Sequence, residues 1–261
     1  MKLPPPPLVT LLTDFGAGSG FPAQMKGVIL TALPDAVVVD LSHEVPCYDV
    51  LAGALLLEAC VPRFPSRAVH CAVVDPGVGT ARRPLALVDG AGRRLVGPDN
   101  GLFTPFLDGA ARAFEIGDPV GAPPRRSATF DGRDLFAPVA AWIAGGGDPA
   151  RLGPAVHDPV RLEWPAAERR GGEVRGECLA ADGFGNVLTS ILERDLGDAR
   201  PLAVTAAGVP ARFVRTFGDG APGELLALVG SSGRLEIAIR EGSAASRYGL
   251  ARGAPVVVRI G

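Results

Sequence analysis

The sequence predicts two parts of different fold class: an α/β N-terminal domain with a mainly parallel sheet flanked by helices, over residues 1–165, and a smaller all-β, barrel-like C-terminal domain, over residues 172–261. Three observations lead there. From residue 8 to about 146, apolar β-rich runs alternate with helix-like stretches, the rhythm of parallel strands joined by helices. Across residues 161–177 the chain turns charged and carries Pro165 and Gly171-Gly172, the composition of a linker, so that the second domain starts near Gly172. Beyond it, short β-rich segments are separated by Gly, Asp or Pro turns, which suits a barrel or sandwich.

Taken in order, residues 9–13, 36–39 and 68–74 read as strands of the first domain. Residues 21–33 place Met25, Val28, Ile29 and Leu33 on one helical face, and residues 50–61 repeat the pattern. In the second domain, residues 174–181, 186–191, 202–206, 224–229, 235–239 and 255–260 are the expected strands. The 35 glycines and 25 prolines are spread through the chain, as many tight turns require.

Bulk properties narrow the function. With 26 basic and 28 acidic residues the formal net charge is −2, which gives no field for a polyanion and favours a small ligand over nucleic acid. No run approaches the roughly 18 apolar residues of a membrane helix, and the start, Met1-Lys2-Leu3 before four prolines, lacks the apolar stretch of a signal peptide; a cytosolic protein is expected. Cys47, Cys60, Cys71 and Cys178 lie far apart, without a CxxC pair, and predict neither a disulfide framework nor zinc. His43, His70 and His157 show no metal or triad spacing and read as structural.

The chemistry gathers at strand ends. Three apolar runs of the first domain end in an acid: Asp14, Asp40 and Asp75. In open α/β sheets the ligand crevice lies beyond the carboxyl ends of the strands, so these acids are expected either to meet there, ready for a cation, a metal or sugar hydroxyls, or simply to start turns and cap helices. The loop "DPGVGTARRPL", residues 75–85, can fold back so that Arg82 or Arg83 reaches Asp75. "VGPDNGL" offers Asp99 and Asn100 in a tight turn, as ligand groups or as a turn alone. After the basic pair Arg125-Arg126, "TFDGRD" sets Asp131 and Asp134 about an arginine ahead of an apolar helix; Gly132 and Asp134 suit a turn and a helix cap. "TDFG" lacks the other kinase motifs, "GAGSG" lacks the third glycine of a dinucleotide loop, and no P-loop is present.

Together, "TDFG" at 13–16, "MKGVI" at 25–29, "VDLSHE" at 39–44, "VVDPGVGTARRPL" at 73–85, "GPDNGL" at 97–102, "TFDGRDLFAP" at 129–138, "DGFGNVLTS" at 182–190 and "GSSGRLEIA" at 230–238 resemble the S-adenosyl-L-methionine (SAM) hydroxide adenosyltransferases, relatives of the SAM-dependent fluorinase and chlorinase. The resemblance spans nearly the whole chain in order. It implies an α/β domain followed by a β-rich domain, a homotrimer with sites between neighbouring chains, and cleavage of SAM to adenosine and methionine by water-derived hydroxide at the ribose C5′. It also implies no metal and no added cofactor, while the charge and hydropathy above leave neither nucleic acid nor membrane as an expected partner.

Residue by residue, the resemblance assigns Asp14 to the ribose hydroxyls, Phe184 and Asn186 to the adenine, and Asp182, Ser231 and Ser232 to the two ends of methionine, with Asp99 and Asn100 also in the substrate set. Its hydrolytic members share an Asp-Arg-His set. Asp75 and Arg82 match the first two members, and Asp131 stands where the histidine belongs. An aspartate there only accepts hydrogen bonds when ionised. If Asp75 and Asp131 share Arg82 and one water, their repulsion raises one carboxylate's pKa while Arg82 lowers both, and one can still act as base; altered or slow hydrolysis is expected. Halogenation is disfavoured, since a second carboxylate opposes a halide and the path from Leu85 to Asn100 is shorter than in fluorinases. Two readings stay open beside hydrolysis: a SAM- or adenosine-binding protein without turnover, and a hydrolase with a metal on Asp14, Asp40 and Asp75.

Overall fold

Strand β1 (Leu8–Thr13) is buried along its whole length because it sits inside a sheet covered on both faces. The computed structural model describes residues 5–117, 127–198 and 201–261, so Met1-Lys2-Leu3 and the Arg125-Arg126 pair lie outside it. The chain divides into two units, residues 1–162 and 163–261.

In the first unit β1 is followed by α1 (Phe21–Ala32), β2 (Val37–Ser42), α2 (Val50–Cys60), β3 (Val69–Val73), β4 (Pro84–Val88), β5 (Arg94–Pro98), β6 (Arg112–Glu115), α3 (Ala137–Ala144) and β7 (Ala155–Val156). The sheet order is β2-β1-β3-β5-β4-β6-β7. Strands β2, β1, β3 and β5 run parallel, whereas β5-β4, β4-β6 and β6-β7 pair antiparallel. The sheet is therefore mixed, which corrects the expectation of a mainly parallel one. The reason lies in the connections: β4 returns to β5 through residues 89–93, where Asp89 Oδ1 accepts from the Ala91 and Arg93 N–H groups. So short a turn can only reverse the chain, since a parallel return needs a crossover of a dozen or more residues.

The alternation of β1 splits its side chains between two layers. Val9 and Leu11 pack with Met25 and Ile29 of α1 and with Val139 and Ile143 of α3. Leu12 points the other way, within reach of Gly53 in α2. Helix α2 starts where the Asp49 carboxylate accepts from the Ala52 N–H, a side-chain cap for an otherwise apolar segment. Among the described residues, no helix is long and apolar enough to cross a membrane.

The second unit carries β8 (Glu168–Arg170), β9 (Glu173–Ala181), β10 (Val187–Leu192), β11 (Pro201–Ala206), β12 (Val209–Phe213), β13 (Leu225–Val229), β14 (Arg234–Ile239) and β15 (Pro255–Ile260). Strands β10-β14-β13-β12-β11-β15-β9 follow one another and β9 pairs back with β10, closing a barrel that leaves no open edge among these strands. Leu235, Ile237 and Ile239 alternate into its core with Val256, Val258 and Ile260. Gly171-Gly172, expected in a linker, instead turns a β8–β9 hairpin appended to the barrel. The charges that suggested a linker sit on β8, an exposed edge strand, where charge discourages further pairing.

Buried His70 shows what the sheet interior costs a titratable group. Its Nδ1 lies 2.8 Å from the Thr10 hydroxyl on β1, and burial pushes its pKa down to about 4. The unfolded chain takes up a proton near pH 6.5 that the folded chain refuses until about pH 4, so stability falls on acidification through that window. The loss attributable to His70 is about 3 kcal/mol. Chemical denaturation of the protein and of His70→Gln at pH 7 and pH 4 should show a weaker pH dependence in the variant.

Candidate active site

Strands β1 and β3 are parallel neighbours with Thr13 opposite Val73, and β2 lies on the far side of β1. A crevice at such a divergence of connections is where α/β sheets bind ligands. Asp14 follows β1 directly and Asp75 follows β3 by two residues, and both line a cavity of about 300 Å³. Asp40 does not join them. Strand β2 continues past it to Ser42, and the mid-strand carboxylate binds Lys26 Nζ of α1 and lies 3.0 Å from His43 Nε2. The expected triple acidic crevice is thus a pair of strand-end acids. Among the described residues, no group of three or more His, Cys, Asp or Glu side chains is placed to hold a metal ion.

Asp14 is oriented by a strained neighbour. The Tyr48 N–H donates to Asp14 Oδ2 at 2.9 Å from a backbone with φ of 66°, a left-handed conformation that a tyrosine adopts at a cost. Tyr48 and Cys47 stand on the cavity wall. Phe15, Phe21 and Phe130 form the apolar side, edge to face, with centroids 5.8, 5.7 and 5.1 Å apart. Sequence reading missed these walls. Phe15 and Phe130 lie within motifs it quoted, whereas the conformation of Tyr48 has no signature in residue type.

Two further wall residues, Asp75 and Asp131, belong to a buried ion cluster. Arg82 folds back onto Asp75, with Nε 3.2 Å from Oδ1 and Nη2 2.5 Å from Oδ2. The same Nη2 reaches Asp131 Oδ2 at 2.8 Å. All three side chains are at most 8% exposed. Burial holds the Asp75 carboxyl above its ordinary value; Arg82 pulls it down, and the charge of Asp131 pushes it up again. One of the two candidate arginines therefore reaches Asp75. The other, Arg83, binds Asp99 at 2.8 Å and Asp158 at 2.8 Å.

Asp131 stands at the start of a π-turn, Gly132–Phe136, closed by the Ala137 N–H on the Gly132 carbonyl. The capping expected of Asp134 does not occur: its carboxylate accepts from Nε and Nη2, one edge of Arg133, at 2.7 and 2.9 Å, and Arg133 lies over Phe130. Asp99 and Asn100 work inside the scaffold, away from the cavity wall. Asp99 Oδ1 accepts from the Val160 N–H, Asn100 Nδ2 donates to the Val74 carbonyl beside Asp75, and Asn100 Oδ1 accepts from Leu102.

In the second unit, Asp182 folds the β9–β10 turn. Its Oδ1 accepts the Phe184 and Asn186 N–H groups, both at 2.9 Å, and its Oδ2 accepts Asn186 Nδ2 at 3.0 Å. Gly185 makes the turn possible, with φ of 82° and the Ser243 Oγ only 2.0 Å from where a Cβ would stand. Phe184 is left 82% exposed. In the β13–β14 turn Ser231 is exposed, and the Ser232 Oγ is buried with no hydrogen-bond partner among the described residues.

An α/β unit with an acidic, aromatic-walled cavity at its strand ends, joined in one chain to a closed barrel, defines a two-unit small-molecule protein with an ion cluster fit to act on its ligand. The family models for the N- and C-terminal domains of SAM hydroxide adenosyltransferase match residues 9–153 and 176–257, and the chain belongs to that family. It is 43% identical, over 98% of its length and 99% of the relative's, to a protein of Salinispora tropica named (R)-S-adenosyl-L-methionine hydrolase. A Nocardia brasiliensis protein named fluorinase is 29% identical over 98% of this chain and 97% of its own. The crystal structure of an uncharacterized conserved protein from Thermotoga maritima superposes with a TM-score of 0.89 at 31% identity, covering 96% of this chain and 99% of the other.

Removing Arg82 would leave two buried carboxylates facing each other. Arg82→Met is expected to cost about 3–5 kcal/mol of stability at pH 7, measured by denaturant unfolding, with much of the loss recovered when Asp75→Asn and Asp131→Asn are added.

Proposed function

We propose that this protein hydrolyses SAM to adenosine and L-methionine by attack of water at the ribose C5′, acting on the (R) epimer that the name of its Salinispora tropica relative specifies. Asp75 and Asp131 on the cavity wall, both bound to the buried Arg82 and sharing that wall with Phe15, Phe21 and Phe130, are the observation that carries this reading. SAM brings a sulfonium cation, which a cavity with carboxylates and aromatic faces attracts. Displacement releases a neutral thioether, so the leaving group needs no acid, and no electrons change hands; the reaction calls for no added cofactor. Water is the weak reactant and must be oriented and made more basic.

Asp75 and Asp131 hold that water and accept its proton, and Arg82 keeps the resulting charge bound. Asp14, with Oδ2 fixed by Tyr48, turns its other oxygen to the ribose diol. Phe184 and Asn186 receive the adenine, and Asp182, Ser231 and Ser232 the ammonium and carboxylate of the methionine. The exposure of Phe184 suits a residue that awaits a ligand. These second-unit residues come from the neighbouring chain of a homotrimer, as the resemblance implies. Asp99 and Asn100 support the strand ends. Neither nucleic acid nor membrane is a partner, and the protein acts in the cytoplasm.

Purified protein is expected to convert (R)-SAM, with or without halide or chelator, to adenosine and methionine in equal amounts, measured by mass-resolved chromatography. Saturable binding with no product after long incubation establishes a binding protein instead, and a 5′-halo-adenosine establishes a halogenase. Asp131→Ala should slow hydrolysis about 100-fold; an undiminished rate removes Asp131 from the mechanism. Because burial and Asp131 both raise the pKa of Asp75, the acid limb of kcat/KM should lie above the ordinary aspartate value, and Asp131→Asn should move that limb to lower pH.

A further inference from the structure

A guanidinium gripped along one edge can still swing out of plane about its own Cδ–Nε bond, and Arg82 must present a single nitrogen to two carboxylates at once. That guanidinium lies over an aromatic ring: the Arg82 Cζ is 5.4 Å from the centroid of Phe136. Phe136 is fully buried and, like Arg82, does not line the cavity; it meets the guanidinium that binds the two wall carboxylates. Its position depends on the π-turn. In an α-helix, residues five apart point about 140° away from each other. The i→i+5 closure at Gly132 brings them towards one face, so that Asp131 and Phe136 both meet Arg82.

We propose that Phe136 is a positioning residue for the reaction: its ring face holds the Arg82 guanidinium in the orientation in which Nη2 serves Asp75 and Asp131 together, and the π-turn exists to deliver that ring. This rests on the reading of the cavity as the site of SAM hydrolysis. The attraction of a cation to an aromatic face comes from the negative charge of the ring's π-cloud, which ring fluorination removes while barely changing ring volume.

The test is to place mono-, di- and trifluorophenylalanine at position 136 of the full chain and follow adenosine release, KM and thermal stability. The expected result is a stepwise fall in kcat, reaching about ten-fold for the trifluoro ring, with KM changed by less than about two-fold and thermal stability nearly constant. Phe136→Leu, which fills part of the space without a π-face, should lose at least as much kcat and some stability. A flat kcat across the fluorine series, with the unmodified protein active, overturns the role of Phe136 and leaves hydrolysis standing. An unmodified protein that releases no adenosine overturns both.

Discussion

The site depends on one cation shared between two buried acids. Asp75 comes from the end of a strand, Arg82 from the loop that doubles back on it, and Asp131 from a turn far along the chain. None of the three is tolerable alone at this depth, since an unpaired buried charge costs several kcal/mol. Together they carry a formal net charge of one negative, and Asp14 adds a further carboxylate to the wall of the same cavity. The fold around them reads as the means of assembly: parallel β1 and β3 align their ends, Asn100 pins the chain beside Asp75, and Arg83 ties the neighbouring loops through Asp99 and Asp158.

An aspartate at position 131 alters that balance in a defined way. A neutral imidazole there would leave Asp75 and Arg82 as a compensated pair and would offer both a donor and an acceptor to water. The carboxylate offers acceptors only and adds one negative charge. That charge raises the proton affinity of Asp75, which in the proposed mechanism strengthens it as a base while opposing the build-up of hydroxide character on the attacking water. The two effects have opposite signs for the rate. The attraction for a sulfonium, by contrast, only gains.

The legibility of the fold in the sequence follows the physics of each feature. Apolar runs ending in an acid located Asp14 and Asp75, because strand burial and strand ending are both written in residue type. Asp40 was misplaced by the same rule, since "DLS" resembles the exit of a strand although pairing with β1 carries β2 on to Ser42. Strand direction is not in the runs at all. It is set by connection length, and the brief turn at residues 89–93 makes half of the sheet antiparallel. The helix period of 3.6 also concealed Phe136, whose side chain meets Arg82 only because one turn is wound wider. What the sequence hid is thus mostly what depends on backbone conformation, as at Tyr48.

Tyr48 and Phe184, each in its own unit, are aromatic residues held by a constrained backbone. Both residues are presented by backbones that cannot relax: Tyr48 by a left-handed conformation locked to Asp14, Phe184 by a turn in which Asp182 accepts three hydrogen bonds. A large aromatic side chain left in water is unfavourable in the free protein, and its burial on binding returns that free energy. On the proposed role of Phe184 in receiving the adenine, a turn already held by three hydrogen bonds needs little further ordering, and more of the gain survives as affinity. A flexible loop carrying the same phenylalanine would bury the same surface and bind more weakly.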